Sequence, residues 1–277
     1  MTASRQQTAG SSGQKGALIV FIALLTANCS LLAYAESSLA DQAQAAWQDR
    51  DKQGQTEKAI RLWTEAIQAE PNRPDLWIHL AKAEGRAVRH ATQSQERKKW
   101  ADDARAAADH AIRLDRQNAE AYAVYGEAMG QWARAHKGIH SLSAVQQAMV
   151  SLEKAISIDP KNAYAHMLLA EFYRQSPRIL SVGNKKKALE HAQLAVQYGP
   201  AYAIHHLVLA RADLDLGKKE EGIMELQKVV TLPPPPDAVP ETRADQETAT
   251  VMLRSMGIAP VPAPCGDPGS GVCTDHP

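Results

Sequence analysis

Residues 148–173 read AMVSLEKAISIDPKNAYAHMLLAEFY, and this stretch decides the fold. Ala148, Leu152 and Ala155 share one helical stripe, and Pro160 stops the helix five residues later. A second helical pattern follows at once, His166-x2-Leu169-Ala170-x2-Tyr173. The first half recurs as Ala59-x3-Trp63-x2-Ala66-x4-Pro71, Ala104-x3-Ala108-x2-Ala111-x4-Arg116, Ala188-x3-Ala192-x2-Ala195-x4-Pro200 and Gly222-x3-Leu226-x2-Val229-x4-Pro234. The second half recurs at Trp77-x2-Leu80-Ala81-x2-Glu84, Tyr122-x2-Tyr125-Gly126-x2-Met129 and His206-x2-Leu209-Ala210-x2-Asp213, and more weakly at Ala43-x2-Ala46-Trp47-x2-Arg50. Composition agrees: 48 alanines and two phenylalanines in 277 residues point to close-packed helices and away from sheets.

These residues resemble the tetratricopeptide (TPR) repeat, a 34-residue pair of helices A and B. The resemblance implies an all-α, right-handed α-solenoid of about five TPR-like helix pairs within residues 36–257, closed by a C-terminal capping helix. Small residues at the eighth position (Ala81, Gly126, Ala170, Ala210) and the twentieth (Ala59, Ala104, Ala148, Ala188) let the two helices approach. The segment Ala40 to Pro236 exceeds five such units by 27 residues, falling as 11, 10 and 6 in repeats two, three and four. All three insertions lie in A-to-B turns, near Arg86–Ala101, Arg134–Ser143 and Ser176–Asn184. The first should extend a helix. The second, with Gly138 and Ile139, and the third, with Pro177 and Gly183, should loop out. Stacked on one edge, they form either a binding ridge or a simple seal. An amphipathic run from Ala244 to Met256 should cover the last repeat with Val251, Met252, Leu253 and Met256.

Two families with interrupted repeats are similar. Leu152 to Pro160, Ala165 to Leu169, Leu216-Gly217-Lys218 and Leu232-Pro233 resemble the regulators of microtubule dynamics over roughly residues 120–255. That implies a TPR-like adaptor with an N-terminal membrane segment. The insertion-bearing helical repeat also resembles the exported, periplasmic T component of TRAP-type transporters, which implies a ligand-binding or transport accessory. Neither resemblance supplies a catalytic motif.

The export pattern lies in residues 1–35. Arg5 and Lys15 precede an apolar run from Gly16 to Leu32, and Ala33-Tyr34-Ala35 precedes Glu36. This is the layout of a signal peptide cleaved before Glu36, which sends the chain to the periplasm. The alternative is an uncleaved inner-membrane anchor with the repeats facing the periplasm. Lipidation at Cys29 is disfavoured by Asn28 before it. Residues 258–277 are Pro/Gly-rich and irregular, and Cys265 and Cys273 are expected to form a disulfide in an exported chain. With His276 they would supply only three metal ligands, so no metal is expected.

The charge balance is 31 bases against 31 acids, or 29 against 31 once residues 1–35 are set aside. Nucleic-acid binding, which needs a basic surplus, is not expected. No HExxH, Gly-rich phosphate loop or GxSxG is present, so neither enzyme activity nor a cofactor is expected. His136 and His140 could share a helix face as ligands, while His166 and His206 fall at a packing position. The concave face of a TPR stack is lined from helix A. Its candidates are Lys82, Arg86, Glu127, Tyr164, Met167, Glu171, Arg174, Leu207 and Arg211. The Lys/Asn/Arg clamp of chaperone-binding TPR domains is missing. The charged candidates either meet a partner or pair with one another across repeats. The expected function is a non-catalytic exported scaffold for an unidentified protein or peptide. One alternative is a small-ligand accessory with an apolar pocket of Tyr164, Met167, Leu207 and Trp132. Another is a membrane-tethered adaptor, if the N-terminal segment is retained.

Overall fold

Two turns show how the chain punctuates itself. Asp115 and Asp159 accept from the backbone N–H groups of Gln117 and Lys161, and Asn118 and Asn162 then cap the next helix by accepting from Ala121 and Ala165. The same B-to-A corner is thus built twice from an Asp-x-x-Asn tetrad. Elsewhere Pro74 opens a helix in its first turn, and Asn184 caps another by accepting from Lys186 and Lys187. Lys185–Lys187 therefore start a helix, as a solvated basic run would.

The computed structural model describes residues 38–175 and 184–261. The N-terminal leader, the third insertion at 176–183 and the Cys265–Cys273 pair lie outside the described residues. Among those described there are eleven helices and no strand: α1 Leu39–Gln48, α2 Gln55–Ala69, α3 Pro74–His90, α4 Ser94–Leu114, α5 Ala119–His136, α6 Ile139–Ile158, α7 Ala163–Gln175, α8 Lys185–Tyr198, α9 Ala203–Asp215, α10 Lys219–Thr231 and α11 Val239–Ser255. They are five A/B pairs and a terminal helix, each packed on its neighbour in an α-solenoid. From repeat two onward the A helices α3, α5, α7 and α9 also pack on one another, with no comparable packing between B helices. The A helices therefore line the inner, shorter wall. None of the described helices is long and apolar enough to cross a membrane.

The alanines sit where helices touch. Ala59, Ala81, Ala104, Ala148, Ala170, Ala188 and Ala210 are all buried, none more than 2% exposed. Repeats three and five replace one member of the pair by glycine. A Cβ on Gly126 would lie 2.6 Å from Leu152 and 3.1 Å from the Ala148 carbonyl; one on Gly222 would lie 2.7 Å from Leu214 and 3.1 Å from the Ala210 carbonyl. Small against small is the rule, and glycine appears where the backbone comes closest.

The fourth position of helix A has a second task. Trp77 Nε1 donates to the Pro71 carbonyl at 3.1 Å, and His166 Nε2 and His206 Nε2 meet the Pro160 and Pro200 carbonyls at 3.1 and 3.0 Å. Each ring binds the carbonyl of the proline that ended the previous helix, a group with no helical partner. His166 and His206 are accordingly packing residues, buried with His205.

The insertions differ from expectation in one respect. The first lengthens α3 and α4 around Ala91–Gln93. The second does not loop out: α5 and α6 are extended and joined by Lys137 and Gly138 alone. Gly138 at φ 106 makes the sharp corner that a side chain would resist. His136 and His140 consequently belong to different helices. The terminal helix also starts at Val239, five residues before the apolar run, and Val251 is 60% exposed. Leu253 and Ala249 are its buried residues against the last repeat, with Met252 and Met256 beside them.

Candidate functional site

The inner wall is built from long polar side chains over a small-residue spine. Lys82 on α3 pairs with Glu120 on α5. Glu127 on α5 accepts from Arg89 at 2.8 Å, from its own-helix neighbour Gln131 at 3.0 Å and from the Tyr164 hydroxyl at 2.5 Å. Burial, with Glu127 beside it, raises the Tyr164 pKa well above the usual phenol value. Glu171 on α7 holds Arg174 at 3.1 Å and lies 3.8 Å from Arg211 on α9, while Arg174 also reaches Asp215 at 3.4 Å. The wall's acids are thus engaged by its own cations across successive repeats.

The apolar candidates fall elsewhere. Met167 is 6% exposed and Leu207 1% exposed, each packed in a different core cluster. Trp132 packs with α6 residues and donates to Asp102 on α4 at 2.7 Å. Tyr164, Met167, Leu207 and Trp132 therefore share no pocket. Met167 and Leu207 are turned into the interfaces with the helices that follow, while Tyr164 and Trp132 reach back to Glu127 on α5 and Asp102 on α4.

A cavity of about 300 Å³ opens on this wall in repeats two to four, with Leu168 and Phe172 as its apolar side and Arg89, Glu127, Gln131 and Arg134 as its polar side. Arg134 is exposed into it and makes no hydrogen bond or ion pair among the described residues; it feels Glu127 and Glu171 only at a distance.

The terminal helix brings in residues that no repeat pattern marks. Glu241 on α11 accepts from Arg50 Nε at 2.9 Å, across 191 residues of chain, and from Arg86 Nη1 at 3.0 Å. Arg50 Nη2 also donates to the Asp237 carbonyl at 2.6 Å, and Arg86 Nη2 to the Arg50 carbonyl at 3.2 Å. The solenoid thus curves far enough for its last helix to grip its first two repeats. The Arg50 side chain is 2% exposed and Glu241 34%. Burial raises the Glu241 carboxyl, but the Arg50 hydrogen bond and charge outweigh it and hold the group below the usual range. One turn on, burial pushes Asp245 up to about 7, with Arg211 opposing and Glu241 adding to the rise.

Two further buried groups are titratable. Glu84 takes the place in its repeat that Tyr173 has in repeat four; it is 7% exposed, and Oε2 has no hydrogen-bond partner. Burial, reinforced by Asp103 and opposed by Lys99, pushes its pKa up to about 8. His166 Nδ1 and His191 Nδ1 lie 2.9 Å apart, and burial followed by the His166 charge lowers His191 to about 4. Among the described residues no group of three His, Cys, Asp or Glu side chains could hold a metal ion.

The family model for regulator of microtubule dynamics protein 1-3 matches residues 39–177, just over half of the chain. No curated protein matches. Among solved structures, TTC0263, a thermophilic TPR protein of Thermus thermophilus, is 17% identical over 78% of this chain and 100% of its own, with a TM-score of 0.59. MamA is 18% identical over 81% of this chain and 99% of its own, at a TM-score of 0.41. YrrB, described as a TPR protein with an unusual peptide-binding site, is 11% identical over 83% and 97%, at 0.40. The first of these likenesses is one of fold, and the weaker two add nothing to it.

Proposed function

The chain belongs to the regulator of microtubule dynamics family, and from that premise we propose that it is a non-catalytic scaffold that binds a protein or extended peptide along the inner wall of its repeats. The observation that carries this reading is Arg134. On a wall where every neighbouring acid already holds a donor, this guanidinium faces a cavity of about 300 Å³ with no partner of its own among the described residues. Arginine beside an apolar floor of Leu168 and Phe172 is the residue type that anchors protein interfaces.

We also propose export to the periplasm, on the basic, apolar and Ala33-Tyr34-Ala35 pattern before Glu36. An exported chain meets no microtubule, so the repeat scaffold alone is carried over from the family. A mature N-terminus at Glu36, read by N-terminal sequencing, supports export with cleavage; a retained leader supports the tethered adaptor.

The scaffold reading is tested by cross-linking capture with the full chain and with Arg134→Glu. Arg134 is exposed and unpaired among the described residues, so its replacement leaves the fold intact. A partner recovered by the natural chain and lost with the variant supports the reading. Equal recovery by both overturns the assignment of the inner wall.

A further inference from the structure

Each of the five repeats sends an arginine to the inner rim: Arg50 just after α1, Arg86 on α3 (with Arg89 beside it), Arg134 on α5, Arg174 on α7 and Arg211 on α9. Neighbouring members are linked: Arg86 donates to the Arg50 carbonyl, and Arg174 and Arg211 share Glu171. The terminal helix supplies carboxylates to this row at a four-residue spacing, which puts them on one helical face. Glu241 takes Arg50 and Arg86 at one end; Asp245, one turn on, feels the charge of Arg211 without an ion pair. Arg174 is held by the wall's own Glu171 and Asp215, and Arg134, between them, by no described residue.

We propose that the arginine row is a receptor for an acidic helical segment of a partner protein, and that α11 occupies it in cis until such a segment displaces it. The proposal rests on the scaffold reading above and adds the chemistry of the partner. Charge complementarity carries it. With α11 seated Arg50 is 2% exposed, and any segment that takes the place of α11 buries that cation again and must supply its counter-ion. A segment that displaces α11 must therefore bring a carboxylate to the place of Glu241. A neutral amphipathic helix of equal hydrophobicity cannot compete, and this penalty excludes wrong partners. A true partner gains over α11 by presenting one more acid, to Arg134.

The test uses the full chain and a fluorescent synthetic peptide of residues 236–257 as probe. The natural chain, with its own helix seated, is expected to bind it weakly. Glu241→Gln loosens the seated helix without removing the arginines, and should bind the peptide at least about ten-fold more tightly, a gain that falls as salt is raised. Asp245→Asn, which alters a group without a hydrogen bond, should give a smaller gain in the same direction. A peptide carrying Gln and Asn in place of its own Glu241 and Asp245 should bind none of the three chains. The proposal is overturned if both variants retain natural helical circular dichroism yet bind no better than the natural chain, or if the neutral peptide binds as well as the acidic one. If these fail while capture still depends on Arg134, the scaffold reading stands and the displaced-helix mechanism falls.

Discussion

The spine between paired helices and the rim along the inner wall hold the same molecule together by opposite means. The spine is apolar, local and periodic: Ala148, Leu152 and Ala170 meet residues of the same or the next repeat and exclude water completely. The rim is ionic and half-hydrated, and at Glu241 it joins residues 191 positions apart. The spine gives each repeat its shape, while the rim determines whether the stack stays closed. The two should respond to substitution on different scales.

The largest effect belongs to the spine. Leu152→Ala empties a fully buried site beneath Gly126, where the backbones already touch, so the helices cannot close over the void. A loss of about 3–4 kcal/mol is expected in urea unfolding monitored by circular dichroism. A loss below about 1 kcal/mol would mean the spine is looser than its geometry implies.

Glu241→Gln should cost less, about 1–2 kcal/mol. It removes the counter-ion of a buried arginine, but Glu241 itself is 34% exposed and water can reach the pair. The same measurement in high salt should shrink the difference only partly, because Arg50 stays buried. An effect as large as that of Leu152→Ala would erase the distinction between spine and rim.

Glu84 sets a pH-dependent test within the spine. Its folded pKa, about 8, lies above the unfolded value, so the native state prefers it protonated. Its contribution is fully present below about pH 4.5 and is lost as pH rises through 8. Glu84→Gln should therefore be more stable than the natural chain by about 1–2 kcal/mol near pH 9, with the advantage fading towards pH 4–5. Thermal melts of both chains across that range read the crossing. A gain independent of pH would rule out the buried carboxyl as its source.

The smallest effect lies outside both. Arg113 and Asp109 pair one helical turn apart on an exposed face of α4. Arg113→Ala should change stability by less than about 0.5 kcal/mol in the same urea series.

The same contrast separates what was legible in the sequence from what was not. Alanine spacing and terminal prolines placed all five pairs, because those residues answer to contacts within one or two turns. The second insertion misled because Gly138 reads as a loop signal, while here it allows a two-residue corner between extended helices. Met167 and Leu207 fell on the expected inner register but turn into the joints between helices, since a row of apolar residues follows the nearest dry surface. Glu171, Arg174 and Arg211 were identified, though sequence alone left open whether they pair with each other; they do. Arg134 stands past the expected register in the lengthened end of α5, and it was missed. The Arg50–Glu241 pair had no local signal at all. It depends on the accumulated curvature of ten helices, which no single repeat encodes.

That pair also bears on how the protein is made. Most solenoids can settle repeat by repeat as the chain emerges, since each unit needs only its neighbours. Here Arg50 leaves the ribosome early and its counter-ion is among the last residues of the helical body to follow. Until Glu241 arrives, the opening repeat presents a guanidinium whose cover and counter-ion have yet to be made. The Arg50 side of the first repeat therefore gets its final contacts long after its synthesis, and a nascent chain stopped short of α11 would lack them.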